Sequence, residues 1–355
     1  MPATNVMITV EHNLTAQCDW LSEENRTDLR VTGQFDAARC LFISILPFGQ
    51  AVPAATCIFV LLALFSLLVN GFTLFGLGRS DDLSWEPRVV FFRNLILSDL
   101  VQTVTFAPSV IHALVQRRTV AFGLWCRVQY LVGTASIFSS LCTITCMALE
   151  RYIYVCHAIR YLVIFTQVRL RLALTLIWVY AISPATITTA LLHSEVERTS
   201  EPFIRGLLCE PDMVEQHMGF PRVPAVFRKV FGLATLLLCV LVYIFSYFRM
   251  YQDARSATIP FNVVNTAARK TVLFYCGMLL LQLLPLLLKV ASDALWEFEG
   301  AATPATVTVF HISLALTLLV PPCVNPLVYG LRNAEMRQAL LSPFQRWTER
   351  RRTDV

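Results

Sequence analysis

The chain has 355 residues, 56% hydrophobic and 15% charged, with a mean hydropathy of +0.59; a water-soluble protein carries about a quarter charged residues, so a soluble enzyme of one or two domains is excluded. The net charge of +5 is scattered between apolar runs, which leaves nucleic-acid binding without a basic patch. The 11 cysteines are too dispersed for a disulfide-dense scaffold, and no Cys-x-x-Cys or Cys/His spacing points to a zinc site.

Crossing about 30 Å of hydrocarbon takes about 20 apolar residues in a helix, so the distance between successive charges is the informative measure. Six stretches of at least 18 residues are free of charge: Arg39 to Arg79, Arg127 to Glu150, Arg171 to Glu195, Lys229 to Arg249, Lys270 to Lys289 and Glu299 to Arg332. A seventh, Arg93 to Arg117, is interrupted only by Asp99. These gaps predict seven membrane helices at 51–78, 88–116, 126–155, 171–192, 225–250, 270–295 and 306–330. The expected fold is therefore an all-α membrane protein, a seven-transmembrane-helix bundle. Its parts are an outer tail (1–50), the helical domain (51–330) and an inner helix and tail (331–355). No internal repeat supports an inverted-repeat transporter.

No basic segment followed by an apolar run precedes residue 50, so the first helix is expected to serve as both signal and anchor. An odd number of spans separates the termini. Assigning Lys and Arg to the nearer face puts 17 on the carboxy-terminal side and 12 on the other. The Asn-x-Thr sequons at Asn13 and Asn25 both fall in the amino-terminal tail. Together these predict an extracellular, glycosylated amino terminus and a multi-pass protein of the plasma membrane.

Polar residues inside the spans are costly in hydrocarbon and mark function by default. The first span carries Asn70, the second reads Phe91-Phe92-Arg93-Asn94-Leu95-Ile96-Leu97-Ser98-Asp99-Leu100, and the fourth carries Trp178. The third ends in Met147-Ala148-Leu149-Glu150-Arg151-Tyr152-Ile153-Tyr154-Val155-Cys156-His157-Ala158-Ile159-Arg160-Tyr161. The seventh contains Pro321-Pro322-Cys323-Val324-Asn325-Pro326-Leu327-Val328-Tyr329-Gly330-Leu331-Arg332-Asn333. A proline within a helix frees a carbonyl, and the neighbouring Asn325 is expected to fill it.

In order and spacing this set resembles the rhodopsin-like (class A) G-protein-coupled receptors, with motifs nearest to the vertebrate, fish-type odorant receptors. Helices one to four, six and seven carry the resemblance; helix five lacks a proline between Ala225 and Met250, and Gln282-Leu283-Leu284-Pro285 stands where many relatives have a Cys-Trp-x-Pro switch.

The resemblance implies a receptor, not an enzyme, that binds small organic odorants and activates a heterotrimeric G protein, with no cofactor. It assigns coupling and activation to Glu150, Arg151, Tyr152, Tyr247, Asn325, Pro326 and Tyr329, with Glu150 the local counter-ion of Arg151. Asn70, Asp99 and Ser140 make a polar core that can hold sodium near Asp99; no other metal is expected. Cys126, about seven turns above Arg151, is expected to pair with Cys209. Cys18 with Cys40 is an open second pairing.

Matching helical positions places Gly133, Thr134, Ile137 and Phe138, Phe231 and Thr235, Leu286 and Val290, and His311 and Ala315 around the ligand. None is a carboxylate, which disfavours an amine, and Leu319 stands where light receptors carry their retinal-binding Lys. Met336, Leu340, Leu341 and Phe344 make an apolar stripe fitting a short amphipathic eighth helix against membrane lipid, and the Thr353-Asp354-Val355 end fits a PDZ groove. Alternatives are a rhodopsin-like receptor for a peptide or lipid, or, in a different class, a membrane transporter.

Overall fold

The structure is a computed structural model that describes residues 51–78, 86–118, 124–199, 222–256 and 304–332, with Phe42, Ile43, Leu46, Gly277 and Leu287 in addition. Its long helices are α1 (Ala51–Gly78), α2 (Pro87–Gln116), α3 (Leu124–Cys156), α4 (Gln167–Thr199), α5 (Arg222–Ser256) and α6 (Pro304–Arg332), which is the seventh predicted span. Among the described residues there is no strand. The sixth predicted span, the 1–50 tail apart from Phe42, Ile43 and Leu46, and the 331–355 tail beyond Arg332 lie outside the described residues.

Helices α1 to α5 each contain a segment long and apolar enough to cross a membrane, and α6 holds the shorter apolar stretch Leu318–Gly330. The helices α4 and α5 overrun their predicted limits at both ends, because charge spacing measures the hydrocarbon layer whereas helical hydrogen bonding continues into water. Pro87 opens α2 at a position whose N–H has no helical acceptor to lose. Arg117, at φ 49°, closes it in the left-handed region, with the Arg117 and Arg118 N–H groups donating to Leu114 and Ala113.

Two apolar layers hold the bundle, outer and inner being named by the expected orientation with the amino terminus outside. The outer one joins α1, α2 and α6 through Phe59, Phe106, Val110, Leu114, Leu318 and Leu319. The inner one draws on α1 through α6, with Leu77, Phe92, Ile144, Ile177, Tyr243 and Tyr329 among its members. Leu61 and Leu68 on α1, and Leu237 and Leu241 on α5, are exposed and form the face presented to lipid. Lipid tails are as apolar as leucine, so close packing and interhelical hydrogen bonds must carry the specificity of assembly. The approach of α2 to α3 is close: the Phe106 ring lies where a Cβ at Gly133 would stand, so any other residue there must displace the ring.

Candidate functional site

A buried polar layer separates the two apolar ones. Asp99, 1% exposed, accepts from Ser140 Oγ at 3.3 Å through Oδ1 and from Asn325 Nδ2 at 2.9 Å through Oδ2. One carboxylate thereby ties α2 to α3 and α6. The Thr103 hydroxyl donates to the Asp99 backbone carbonyl and shares a 2.7 Å contact with Ser66 on α1. Ser98 and Ser139 meet at 2.9 Å, while Asn94 donates to Thr143 at 2.7 Å and accepts from Trp178 Nε1 at 2.9 Å. Asp99 and the Ser140 hydroxyl supply the hard oxygen donors a sodium ion takes, although Asn325 already occupies Oδ2. No group of three His, Cys, Asp or Glu among the described residues is arranged to hold a metal.

The prolines of α6 explain two further contacts. Pro326 has no N–H, which leaves the Pro322 carbonyl without its helical donor. Asn70 Nδ2 fills it at 2.8 Å from α1, and also donates to Ser66 O at 2.8 Å. This corrects the expectation that Asn325 does so; Asn325 points its amide at Asp99 instead. Pro322 likewise frees the Leu318 carbonyl, which Gln102 Nε2 on α2 fills at 2.7 Å. Gln102 carried no sequence motif, and only the i−4 position relative to a second proline would have indicated a partner for it.

At the inner end, Glu150 is 1% exposed and has a cationic partner that local sequence does not reveal. Arg88 Nε, at the start of α2, lies 3.1 Å from Glu150 Oε1, and Tyr161 OH donates to the same oxygen at 2.7 Å. The Arg88 guanidinium also sits 3.7 Å above the Tyr154 ring. Burial, then the hydrogen bond to Glu150, holds the Tyr161 phenol above its usual pKa, so it remains a protonated donor at neutral pH. Tyr247 stacks on Tyr243 at 5.4 Å between ring centroids, and both pack in the inner apolar layer with Tyr329. The sequence singled out Tyr247 and Tyr329 but missed Tyr243 beside them. Tyr152 packs edge-on against Phe245 of α5 at 5.6 Å and against His157 at 5.4 Å.

Toward the outer half, three of the predicted ligand residues come together. Phe138 on α3 meets Phe231 on α5 edge-on at 5.6 Å. Tyr180 on α4, absent from the sequence-based set, lies 5.4 Å from Phe231 and places its hydroxyl 2.6 Å from Thr235 Oγ1. Thr235 donates its only hydroxyl hydrogen to Phe231 O at 2.8 Å, so in that contact Tyr180 is the donor and Thr235 the acceptor. Phe227 stacks on Phe231 at 5.9 Å and extends the aromatic surface. Ile137 packs with the outer apolar layer and Ala315 is fully buried in it, whereas the side of Gly133 facing α2 is taken up by Phe106. Thr134 is half-buried on α3, and His311 lies on α6.

Cys126, buried at the outer start of α3, is disulfide-bonded. Cys209, Leu286, Val290, Asn13, Asn25, Cys18, Cys40 and Val355 lie outside the described residues, as does the apolar stripe of the tail.

Residues 69–329 match the family described as 7 transmembrane receptor (rhodopsin family). The chain is 24% identical to human (Homo sapiens) Olfactory receptor 14I1, over 80% of this chain and 88% of that protein. It is 27% identical to human Olfactory receptor 52K1, over 79% and 86%. Mouse (Mus musculus) Olfactory receptor 8C8 is 23% identical, over 79% and 87%.

Proposed function

This chain belongs to the rhodopsin family of seven-transmembrane receptors, and from that premise we propose that it is an odorant receptor, which takes small, largely apolar organic molecules in the outer half of the bundle and activates a heterotrimeric G protein. It is a multi-pass membrane receptor and not an enzyme.

The observation that carries the ligand class is the grouping of Phe138, Phe231, Phe227, Tyr180 and Thr235. Aromatic walls with few polar anchors suit a neutral molecule held by shape and one or two hydrogen bonds. Both hydroxyl hydrogens are committed along the path Tyr180 to Thr235 to Phe231 O, so the pair offers lone pairs and favours ligands that donate, such as alcohols and phenols. The grouping holds no carboxylate to pair with an amine.

The amino-terminal tail is read as extracellular with glycans on Asn13 and Asn25, Cys209 as the partner of Cys126, and the 331–355 segment as lying on the inner leaflet. Ligand entry shifts a two-state equilibrium of the bundle through the Asp99 layer, and the inner ends around Arg151 open to the G protein. A panel of volatile and water-soluble compounds in G-protein reporter cells tests this. Activation by neutral alcohols or phenols is expected; response to biogenic amines alone overturns the ligand class.

A further inference from the structure

A short helical turn follows the end of α3. Ala158–Arg160 forms one turn of 3-10 helix and Tyr161–Ile164 one turn of α-helix, closed by Arg160 N–H to His157 O and Phe165 N–H to Tyr161 O, both at 2.9 Å. No side chain of the turn is fully buried, and Ile159 is 98% exposed and Leu162 81%. So short a helix has no stability of its own in water, and something outside it must hold it in place.

The attachment runs through Tyr161. Its hydroxyl donates to Glu150, and its ring contacts Tyr154 at 5.3 Å and Phe165 at 5.1 Å. Phe165 in turn meets Phe91 of α2 at 6.5 Å. The hydroxyl bond of this attachment ends on Glu150, which is almost fully buried, and a buried acidic side chain is expensive unless a cation meets it. Arg88 does so, and the same guanidinium covers the Tyr154 ring that Tyr161 leans on.

We infer that Arg88 is a positioning residue for coupling: from α2 it supplies the cation that meets the buried Glu150 and covers the Tyr154 ring, and so fixes the 157–164 turn and its exposed Ile159 and Leu162 in the orientation offered to the G protein. The coupling half of this statement rests on the receptor reading above; the structural half does not.

Two measurements on the full-length receptor in nanodiscs, without ligand, separate them. Hydrogen exchange of peptides covering 157–165 reads the turn directly, with α1 and α4 as internal references. Arg88→Gln raises exchange there on the order of tenfold while the reference helices keep wild-type rates. Arg88→Lys, which keeps charge but loses the planar fork, falls between. Tyr161→Phe reproduces the Arg88→Gln pattern and provides the test if that variant fails to reach the membrane.

Nucleotide exchange on whichever heterotrimer wild type activates best falls in the same order at equal receptor density. Unchanged exchange in 157–165, or an increase spread evenly over all helices, overturns the role of Arg88. A wild-type receptor that activates no heterotrimer overturns the receptor reading and leaves the hydrogen-exchange result to judge the Arg88 link by itself.

Discussion

Asn70 on α1 donates its side-chain amide to the Pro322 carbonyl on α6 at 2.8 Å, taking the place of the N–H that Pro326 lacks. The carbonyl that Pro326 frees in α6 is thus satisfied by a neighbouring helix and not by flanking residues of α6, which ties α1 to α6 at this level.

Removing that donor strands a buried carbonyl. Asn70→Ala should cost about 1 kcal/mol, the usual worth of an interhelical hydrogen bond in membranes, read as a lowered thermal midpoint in detergent. In a Pro326→Ala background the restored N–H serves the Pro322 carbonyl, so the same Asn70→Ala change should cost clearly less. Equal costs in the two backgrounds would show that the contact does not depend on the proline.

The contact between Asp99 and Asn325, at 2.9 Å, predicts a signalling phenotype. Asp99→Ala removes the acceptor shared by Ser140 and Asn325, and agonist-stimulated nucleotide exchange should fall while surface expression stays near wild type. Agonist affinity, if sodium occupies this layer, should weaken with added sodium in the wild type and lose that dependence in Asp99→Ala.

How much of this was legible in the sequence follows from what each contact depends on. Five of the predicted spans recur as α1, α2, α3, α5 and α6 to within a few residues of either end, apart from the inner end of α5, because excluding charge from hydrocarbon is a one-dimensional constraint. The pairing of Asp99 with Ser140 was also anticipated, through motif resemblance. The pairing of Arg88 with Glu150 was not, since the two lie 62 positions apart and nothing local relates them. Tyr180 and Gln102 read as ordinary helix residues until neighbouring helices give their polar atoms partners. Gly133 shows the reverse case, where helical position pointed to the ligand and Phe106 took one side.

For the ligand, Phe138→Ala and Thr235→Ala should shift odorant potency more than surface expression. Tyr180→Phe removes the hydrogen bond into Thr235 and should weaken alcohols by on the order of tenfold, with a smaller effect on hydrocarbon or ether analogues. A uniform shift across all ligands would mean that Tyr180 acts only through packing.

Tyr161 sets an expectation about pH. Its phenol is held above the usual value of about 10, so its neutral form stabilises the fold below that pH, and the contribution is lost as pH rises from about 10 toward the folded value. Between roughly pH 6 and 9 Tyr161→Phe should lower thermal stability by a constant amount. A difference that varies across that range would indicate that another group titrates with it.

The central claim is that ligand binding near Phe138 is transmitted to Arg151 and thence to a G protein. It is tested most directly by reconstituting wild-type and Arg151→Ala receptors at equal density and measuring nucleotide exchange on purified heterotrimer with the strongest agonist from the odorant panel. Agonist-stimulated exchange by wild type, and its loss in Arg151→Ala with agonist binding retained, is the predicted result. Exchange that is equally strong in Arg151→Ala, or a wild-type receptor that binds agonist and stimulates no heterotrimer, would contradict the account.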